Sequence, residues 1–466
     1  MREKREMTAD LFEAQYQLMV FAANPNNPLL VELQTIDRLL DGAPEILALV
    51  HADVGGGDKR AGRPAEATAE QVLRCAILMR LRGLPYRQLA AEIDASTLYR
   101  WFTRFYGKKV PHFSTLNDLI KRVSSETMER VNEAVVRLAV KKKLEDGRAV
   151  RHDTTVTETD IAHPVDARLL NDSVRVLSRE LARLREVAPE VAFRFHNHTR
   201  RSKKRAYQIV VGKGKNIEKR RRVLYADLLK VQRKVRGYAQ AAIAAVRADI
   251  AVANRVEVMA CLAELERDLP LAEQVYDQAH RRVILDESVP ADEKVLSIFE
   301  THTDIICRGK KGSKAEFGHK IDVATGRSGL VTYYEVFEGN PGDNEVLERA
   351  LADHIRLFGQ APEQVTGDRR YHSQANEQMA ENNGVKQVAL PKPGRLNKAR
   401  QALQKQPWFR RLLRWRAGIE GNLSTLLRTF ALKRCLWKGW ESFKAYVGLS
   451  VLTYNLRLLV GHQAQT

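Results

Sequence analysis

The sequence predicts a mixed α/β protein: a mixed sheet flanked by helices, with a helical N-terminal region and a long helical insertion after the first strand. Three observations predict it. Short Val- and Thr-rich segments alternate with helical ones only near residue 150 and after residue 299. Between them lies a long helical stretch, and another precedes them. Hairpin strands followed by alternating α and β segments build a mixed sheet covered by helices.

The segments "TADLFEAQYQLMVFAA" and "LLVELQTIDRLLDGAPEILALV" make residues 1–55 a helical N-terminal region. "HADVGGGDKRAGRPAEA" is a linker by its glycines and charges. Residues 56–145 then read as short helices joined by turns. Thr68 is placed to cap the first, whose apolar stripe is Leu73, Ile77, Leu78 and Leu81. "RGLPYRQLAAEI" breaks and restarts a helix, and "DASTLYRWFTRF" sets Arg100 and Arg104 beside Trp101. That pattern suits a helix-turn-helix DNA reader; a helical packing domain without DNA contacts is the plainer alternative.

The first core strand belongs to residues 146–170, in "RAVRHDTTVTETDI". Residues 171–298 form the helical, basic insertion. Its segment Arg200–Arg236 holds 15 basic residues against two acids, Glu218 and Asp227, with Tyr207 and Tyr225 interleaved. A solvated helix face mixes charge signs, so this one suits phosphate tracking, with Lys203, Lys204, Arg220, Arg221 and Arg222 as DNA contacts. Residues 299–466 hold the rest of the core. "FGHKIDVATGRSGLVTYYEVFEG" is a hairpin turning at "ATGRSG". "NPGDNEVLERALADHIRLFG" is a loop and helix, capped at Asp343 or Asn344 and ended by Gly359. "EQVTG" is a strand, "SQANEQMAENNG" a helix capped by Ser373, and "VKQVALP" a strand. One helix is expected over about 407–431.

Charge narrows the function. The chain has 77 Lys and Arg against 57 Asp and Glu, a net charge of +20, and such a protein meets a polyanion, most often nucleic acid. The four cysteines, Cys75, Cys261, Cys307 and Cys435, lie far apart, which disfavours a zinc ribbon or disulfide framework and suits a reducing cytosol. No stretch approaches the ~20 apolar residues of a membrane span, and the N-terminus makes a poor signal peptide. The expected location is the cytoplasm, on the nucleoid.

Three acids stand out. On an alternating strand Asp153 shares a face with Arg151, Thr155 and Thr157, away from Val150 and Val156. Asp is disfavoured inside strands, though a plain exposed position is the alternative. Asp368 follows the carboxyl end of "EQVTG", where open α/β sheets bind ligands; an ordinary turn residue is the alternative. Glu420 borders an apolar helical stripe one turn after Arg416, and the plainer reading is an i, i+4 ion pair. Together, oxygen ligands from three elements suit two hard cations, Mg²⁺ or Mn²⁺, and phosphoryl transfer.

Several motifs carry a family likeness. "RHDTTVTETDIAHPVDARLLNDSVRVL", "GHKIDVATGRSGLV…EGNPGDNEVL", "TGDRRYHS" and "RAGIEGNLSTLLR" with "VLTYNLRLL" resemble a DDE transposase of a bacterial insertion sequence, of an ISNCY-like group. The resemblance implies an RNase H-like catalytic core with Asp153, Asp368 and Glu420 as catalytic metal ligands. It also implies cleavage at transposon ends and transfer of the freed 3′-hydroxyl into target DNA. Its expected partner is double-stranded DNA, in terminal inverted repeats and in the target, bound by a homodimer or larger synaptic assembly. Arg416 becomes a DNA or active-site contact, and Arg369, beside Asp368, is counted with the DNA contacts. The sequence departs from the family at Arg370, where Gly is usual, and at Leu413 and Leu427, where Tyr and Lys are usual; Arg428 is a substitute for that Lys, one position late. A catalytically silent DNA-binding regulator and a structure-selective nuclease of the same fold are the competing functions.

Overall fold

The computed structural model describes residues 19–20, 27–55, 66–213, 216–307 and 315–463. The extreme N-terminus and most of the Gly-rich linker, both read above as sequence, lie outside these. The chain divides into two compact units, one of residues 1–159 and 318–466, the other of 160–317. The protein is mixed α/β with a helical majority and a mixed sheet of seven strands.

In the first unit the chain begins with α1 (Pro28–Asp41), α2 (Pro44–Gly55), α3 (Ala69–Arg82), α4 (Tyr86–Ala95), α5 (Thr97–Thr103), α6 (Phe113–Ile120) and α7 (Ser125–Lys141). Local chemistry explains the boundaries. Thr68 and Gln71 form a reciprocal capping box at the start of α3, and Gly83, at φ 64°, ends it. Ser96 caps α5. These helices share one apolar core with the C-terminal helix, through Leu33, Ile77, Phe102, Val131, Leu449 and Leu452 among others.

Strand β1 (Ala149–Thr159) follows α7. The second unit holds α8 (Asp166–Val187), α9 (Thr199–Val211), α10 (Ile217–Ala248), α11 (Ile250–Ala253), α12 (Val256–Val283) and the short strand β2 (Asp304–Ile306). Its long helices bury two apolar clusters, one around Leu177, Leu181, Val235 and Leu265, the other around Leu170, Leu228 and Val275.

The chain then forms β3 (Glu316–Thr325), β4 (Val331–Val336), α13 (Asp343–Phe358), β5 (Gln364–Thr366), α14 (Gln374–Asn382), β6 (Gln387–Ala389), α15 (Lys398–Lys405), α16 (Pro407–Ala417), α17 (Ile419–Thr429), β7 (Arg434–Cys435) and α18 (Trp440–Gln463). The central order is β3-β1-β5-β6, with β4 on β3 and β7 on the far end of β1. The β1–β3 pair is antiparallel, and β1–β5 and β5–β6 are parallel.

Strand alternation gives the sheet two covered faces. Val150, Val365 and Val388 pack with Val346, Leu347, Leu351 and Ala380 from α13 and α14. On the other side Ala389 packs with Phe409 and Leu412 of α16, while Arg151 reaches the end of α16 and Asn422 of α17.

Two local expectations differ from the structure. The expected single helix over 407–431 is two helices that break at Gly418. The cause is Arg151, whose Nη1 donates to the Trp415 carbonyl at 2.5 Å, a carbonyl that also accepts from the Gly418 amide at 3.1 Å. A Cβ on Gly418 would lie 2.7 Å from Arg151 Nη1. The second difference is the start of α13, where Gly342 is the N-cap and makes no side-chain cap bond. Asp343 is instead engaged inward, as described below.

Candidate active site

The β1–β5 ladder places the first two acids. Val150 pairs with Val365 and Arg151 with Thr366. Two residues further in the same register come Asp153 and Asp368. The β5 ladder stops at Thr366, so Asp368 sits in the loop at its carboxyl end, next to the position of Asp153 along β1. The Asp368 carboxylate accepts from the Arg370 amide at 2.7 Å, an Asx-type turn. Asp153 is held similarly, by the Thr154 amide at 2.9 Å from Oδ1.

The third acid arrives on α17, which packs against β1. Arg416, near the end of α16, joins it to the first: its Nη2 is 2.8 Å from Asp153 Oδ2 and its Nη1 is 3.4 Å from Glu420 Oε1. The side chains of Asp153 and Arg416 are 14% and 17% exposed, whereas that of Glu420 is 69% exposed. The Asp153–Arg416 contact is therefore a sheltered charge-assisted bond, and the Glu420 contact is an open, weaker one. Among the described residues no group of three His, Cys, Asp or Glu side chains stands close enough to hold a metal ion. The structure thus brings Asp153 and Glu420 to one guanidinium and leaves Asp368 in the loop two residues past Thr366, the β5 residue paired with Arg151, without closing the three around one point.

Arg151 builds the floor of this face. Its guanidinium bonds to Thr325 Oγ1 at 2.9 Å, to the Trp415 carbonyl and to Asn422 Oδ1 at 3.1 Å, and it lies over the Trp415 ring at 4.9 Å. It ties β1 to the α16–α17 break and so fixes where Arg416 and Glu420 emerge.

Behind Asp153, on the opposite sheet face, lies a buried polar group that the sequence did not single out. The Tyr371 hydroxyl donates to Asp322 Oδ1 at 2.6 Å. His152 Nδ1 stands 3.5 Å from Asp322 Oδ2. Lys320 pairs with Asp343, and the Thr154 hydroxyl donates to Asp343 at 3.3 Å. Asp322 and Tyr371 are both fully buried. Burial, reinforced by the Asp322 charge, holds the Tyr371 phenol well above its ordinary value, so it stays a proton donor. The available signal was an Asp amid apolar residues in "KIDVAT", in a strand, where Asp is disfavoured.

The expected DNA contacts divide by environment. Lys203, Lys204 and Arg220 are exposed on α9 and α10. Arg221 donates to the Ile209 and Gly212 carbonyls and pairs with Glu218 at 2.8 Å, and Arg222 donates to the Ile284 carbonyl. Arg201 and Arg205 share Asp227, so part of the basic run is neutralised within the unit. Arg369 and Arg428 are exposed. Arg104 is only 6% exposed and donates to Asp37 at 2.7 Å, beside Arg74, which shares that carboxylate. Arg100 donates to Asp94 and to the Tyr106 and Lys108 carbonyls. Both arginines thus make bonds within the helical region.

Residues 278–456, which carry Asp368, Glu420 and the α16–α17 break, match the model described as a transposase DDE domain. Residues 22–122, the N-terminal helices, match a transposase domain model designated DUF772. No curated protein and no solved structure matches the chain. Among the described residues no helix is long and apolar enough to cross a membrane.

Proposed function

The chain belongs to the DDE transposases of insertion sequences, enzymes that cleave DNA and transfer its strands, and from that premise we infer that Asp153, Asp368 and Glu420 are its catalytic acids. The single observation that carries the assignment is the shared guanidinium. Arg416 sits between Asp153 and Glu420 as one cation between two acids from separate elements, and Asp368 follows two residues after Thr366, which pairs with Arg151 of the strand that carries Asp153. The donor set is all oxygen, which fits Mg²⁺ or Mn²⁺. When bound, two such ions activate a water or 3′-hydroxyl and offset charge on the leaving oxygen.

The remaining steps belong to the chain's own residues. Asp153 is oriented by its bond to the Thr154 amide and Asp368 by its bond to the Arg370 amide, so neither carboxylate is free to rotate at will. Glu420 is largely exposed and closes the set last. Arg416, once Asp153 and Glu420 serve as ligands, is released to meet a DNA phosphate. Arg369, beside Asp368, and Arg428, in the last turn of α17, are exposed and are assigned as further phosphate contacts. Lys203, Lys204, Arg220, Arg221 and Arg222 are assigned to duplex DNA along the helical unit, where Lys203, Lys204, Arg220 and Arg222 are exposed and Arg221 is half-buried.

In this reading the segments expected at 146–170 and 299–466 make an RNase H-like catalytic core of the ISNCY-like group, 56–145 a helical DNA-binding region and 171–298 the basic insertion, with 160–170 and 299–317 belonging to the insertion's compact unit. The substrate is the element's terminal inverted repeats, then target DNA, engaged on the nucleoid by a homodimer or larger assembly. The test is a cleavage and binding assay on end DNA with Asp153→Ala. Loss of Mg²⁺-dependent cleavage with retained binding supports the assignment. Retained cleavage refutes it, and a protein that binds but never cleaves is a regulator.

A further inference from the structure

The loop that carries Asp368 has little to hold it from the sheet, because the β5 ladder ends at Thr366. What anchors it is Tyr371. The Tyr371 amide donates to the Asp368 carbonyl at 3.2 Å, closing a tight turn around Asp368. The phenol reaches β3 and donates to Asp322. The Tyr371 carbonyl accepts from Asn376 Nδ2 at 2.8 Å, and that amide group also reaches the Asn344 carbonyl at 2.8 Å. Gly367 lets the ring approach: a Cβ there would meet the Tyr371 ring at 3.0 Å.

Asp322 is paired in register with Thr154. Thr154 is the residue whose amide orients Asp153 and whose hydroxyl binds Asp343. The loop of Asp368 and the strand of Asp153 are thus tied to the same point of β3 from behind the catalytic face. A fully buried carboxylate carries a large desolvation cost, and apolar packing would serve stability as well. Its retention here is explained by placing two acids relative to one another.

We propose that Tyr371 and Asp322 form a clasp that positions Asp368 against Asp153 for divalent-metal binding. The inference rests on the reading of Asp153, Asp368 and Glu420 as ligands. Partners behind metal ligands change metal affinity by about 10–100-fold when removed, and the clasp acts on the acids through their backbone, by the Asp368–Tyr371 turn and the Thr154–Asp322 register.

The test uses the full chain and Mn²⁺ alone as probe, titrated by electron paramagnetic resonance, with Mn²⁺-dependent cleavage of end DNA as a second readout. Tyr371→Phe keeps the ring and removes the donor. It is expected to raise the half-saturating Mn²⁺ concentration about 10-fold or more, with end-DNA binding unchanged. Asp322→Leu is expected to do the same, and the double variant to be no worse than the worse single one, because both break one bond. Asp322→Asn keeps an oxygen for the phenol and is expected to stay close to wild type. A melting temperature that falls while the Mn²⁺ titration stays at its wild-type position overturns the clasp as a positioning device. Asp368→Asn separates the two readings. If it weakens Mn²⁺ binding while Tyr371→Phe does not, the clasp alone fails; if neither does, the ligand assignment fails and takes the clasp with it.

Discussion

Arg416 joins Asp153 to Glu420: one guanidinium lies 2.8 Å from the first carboxylate and 3.4 Å from the second. A cation shared by two acids on a strand and a helix occupies the charge balance that a divalent ion would take over. Arg416→Gln should therefore lower the melting temperature of the metal-free protein by a few degrees, since a sheltered carboxylate loses its partner. Saturating Mn²⁺ should raise the melting temperature more in the variant than in the wild type. Thermal scans with and without Mn²⁺ check this; equal ion-induced shifts would count against it.

Gly418 is the break between α16 and α17, and its φ of −65° is one that Ala adopts readily. Helix propensity alone gives Ala about 1 kcal/mol of advantage. The contact with Arg151 decides the sign instead, because its guanidinium is held by three bonds and has little room to withdraw. Gly418→Ala is expected to lose about 1–3 kcal/mol of stability in urea unfolding, and cleavage should fall as well, since the α16–α17 junction sets Arg416 and Glu420. A stabilised variant would show that the helix break is incidental.

This break also marks where sequence reading stopped. Elements governed by local chemistry were legible: the Thr68 cap, the Ser373 cap, Gly359 at φ 73° as a helix end and the hairpin at "ATGRSG". The three acids drew attention for the same kind of reason, since an Asp in a strand, an Asp after one and a Glu beside an apolar stripe are each locally unusual, and the structure places them in those local settings. Features set by distant residues were not legible. Nothing near Gly418 announces Arg151. Asp343 looks like a helix cap until Lys320 and Thr154 claim it. Arg100 and Arg104 have the spacing of DNA-facing residues, but Asp37 and Asp94 take them into the fold, and no periodicity separates a buried ion pair from a basic surface.

A pH effect on stability follows from His354, on α13. Burial, opposed by its bond to the Gly147 carbonyl, pushes its pKa down to about 4. The unfolded chain, with an ordinary value near 6.5, then binds the extra proton first as pH falls. Stability is complete above about pH 6.5 and declines toward pH 4. Between pH 7.5 and pH 5 the loss should be about 2 kcal/mol. His354→Gln, which keeps a donor for Gly147, should flatten that part of the curve in urea titrations; an unchanged slope would assign it to other groups.

Lys203, Lys204 and Arg220 are exposed on the helical unit. If each meets a phosphate, replacing all three with Glu should lower affinity for any duplex alike. It should also reduce the slope of log affinity against log salt by about 3, roughly 0.9 per contact. Fluorescence anisotropy at several salt concentrations measures it. An unchanged slope would place the DNA elsewhere.

The central claim is that three carboxylates share a divalent metal site, and anomalous diffraction from Mn²⁺ in crystals of the protein with end DNA tests it most directly. The account predicts Mn²⁺ density in contact with Asp153, Asp368 and Glu420, with Arg416 withdrawn from Asp153. Mn²⁺ bound away from those oxygens in a cleavage-competent complex would contradict it.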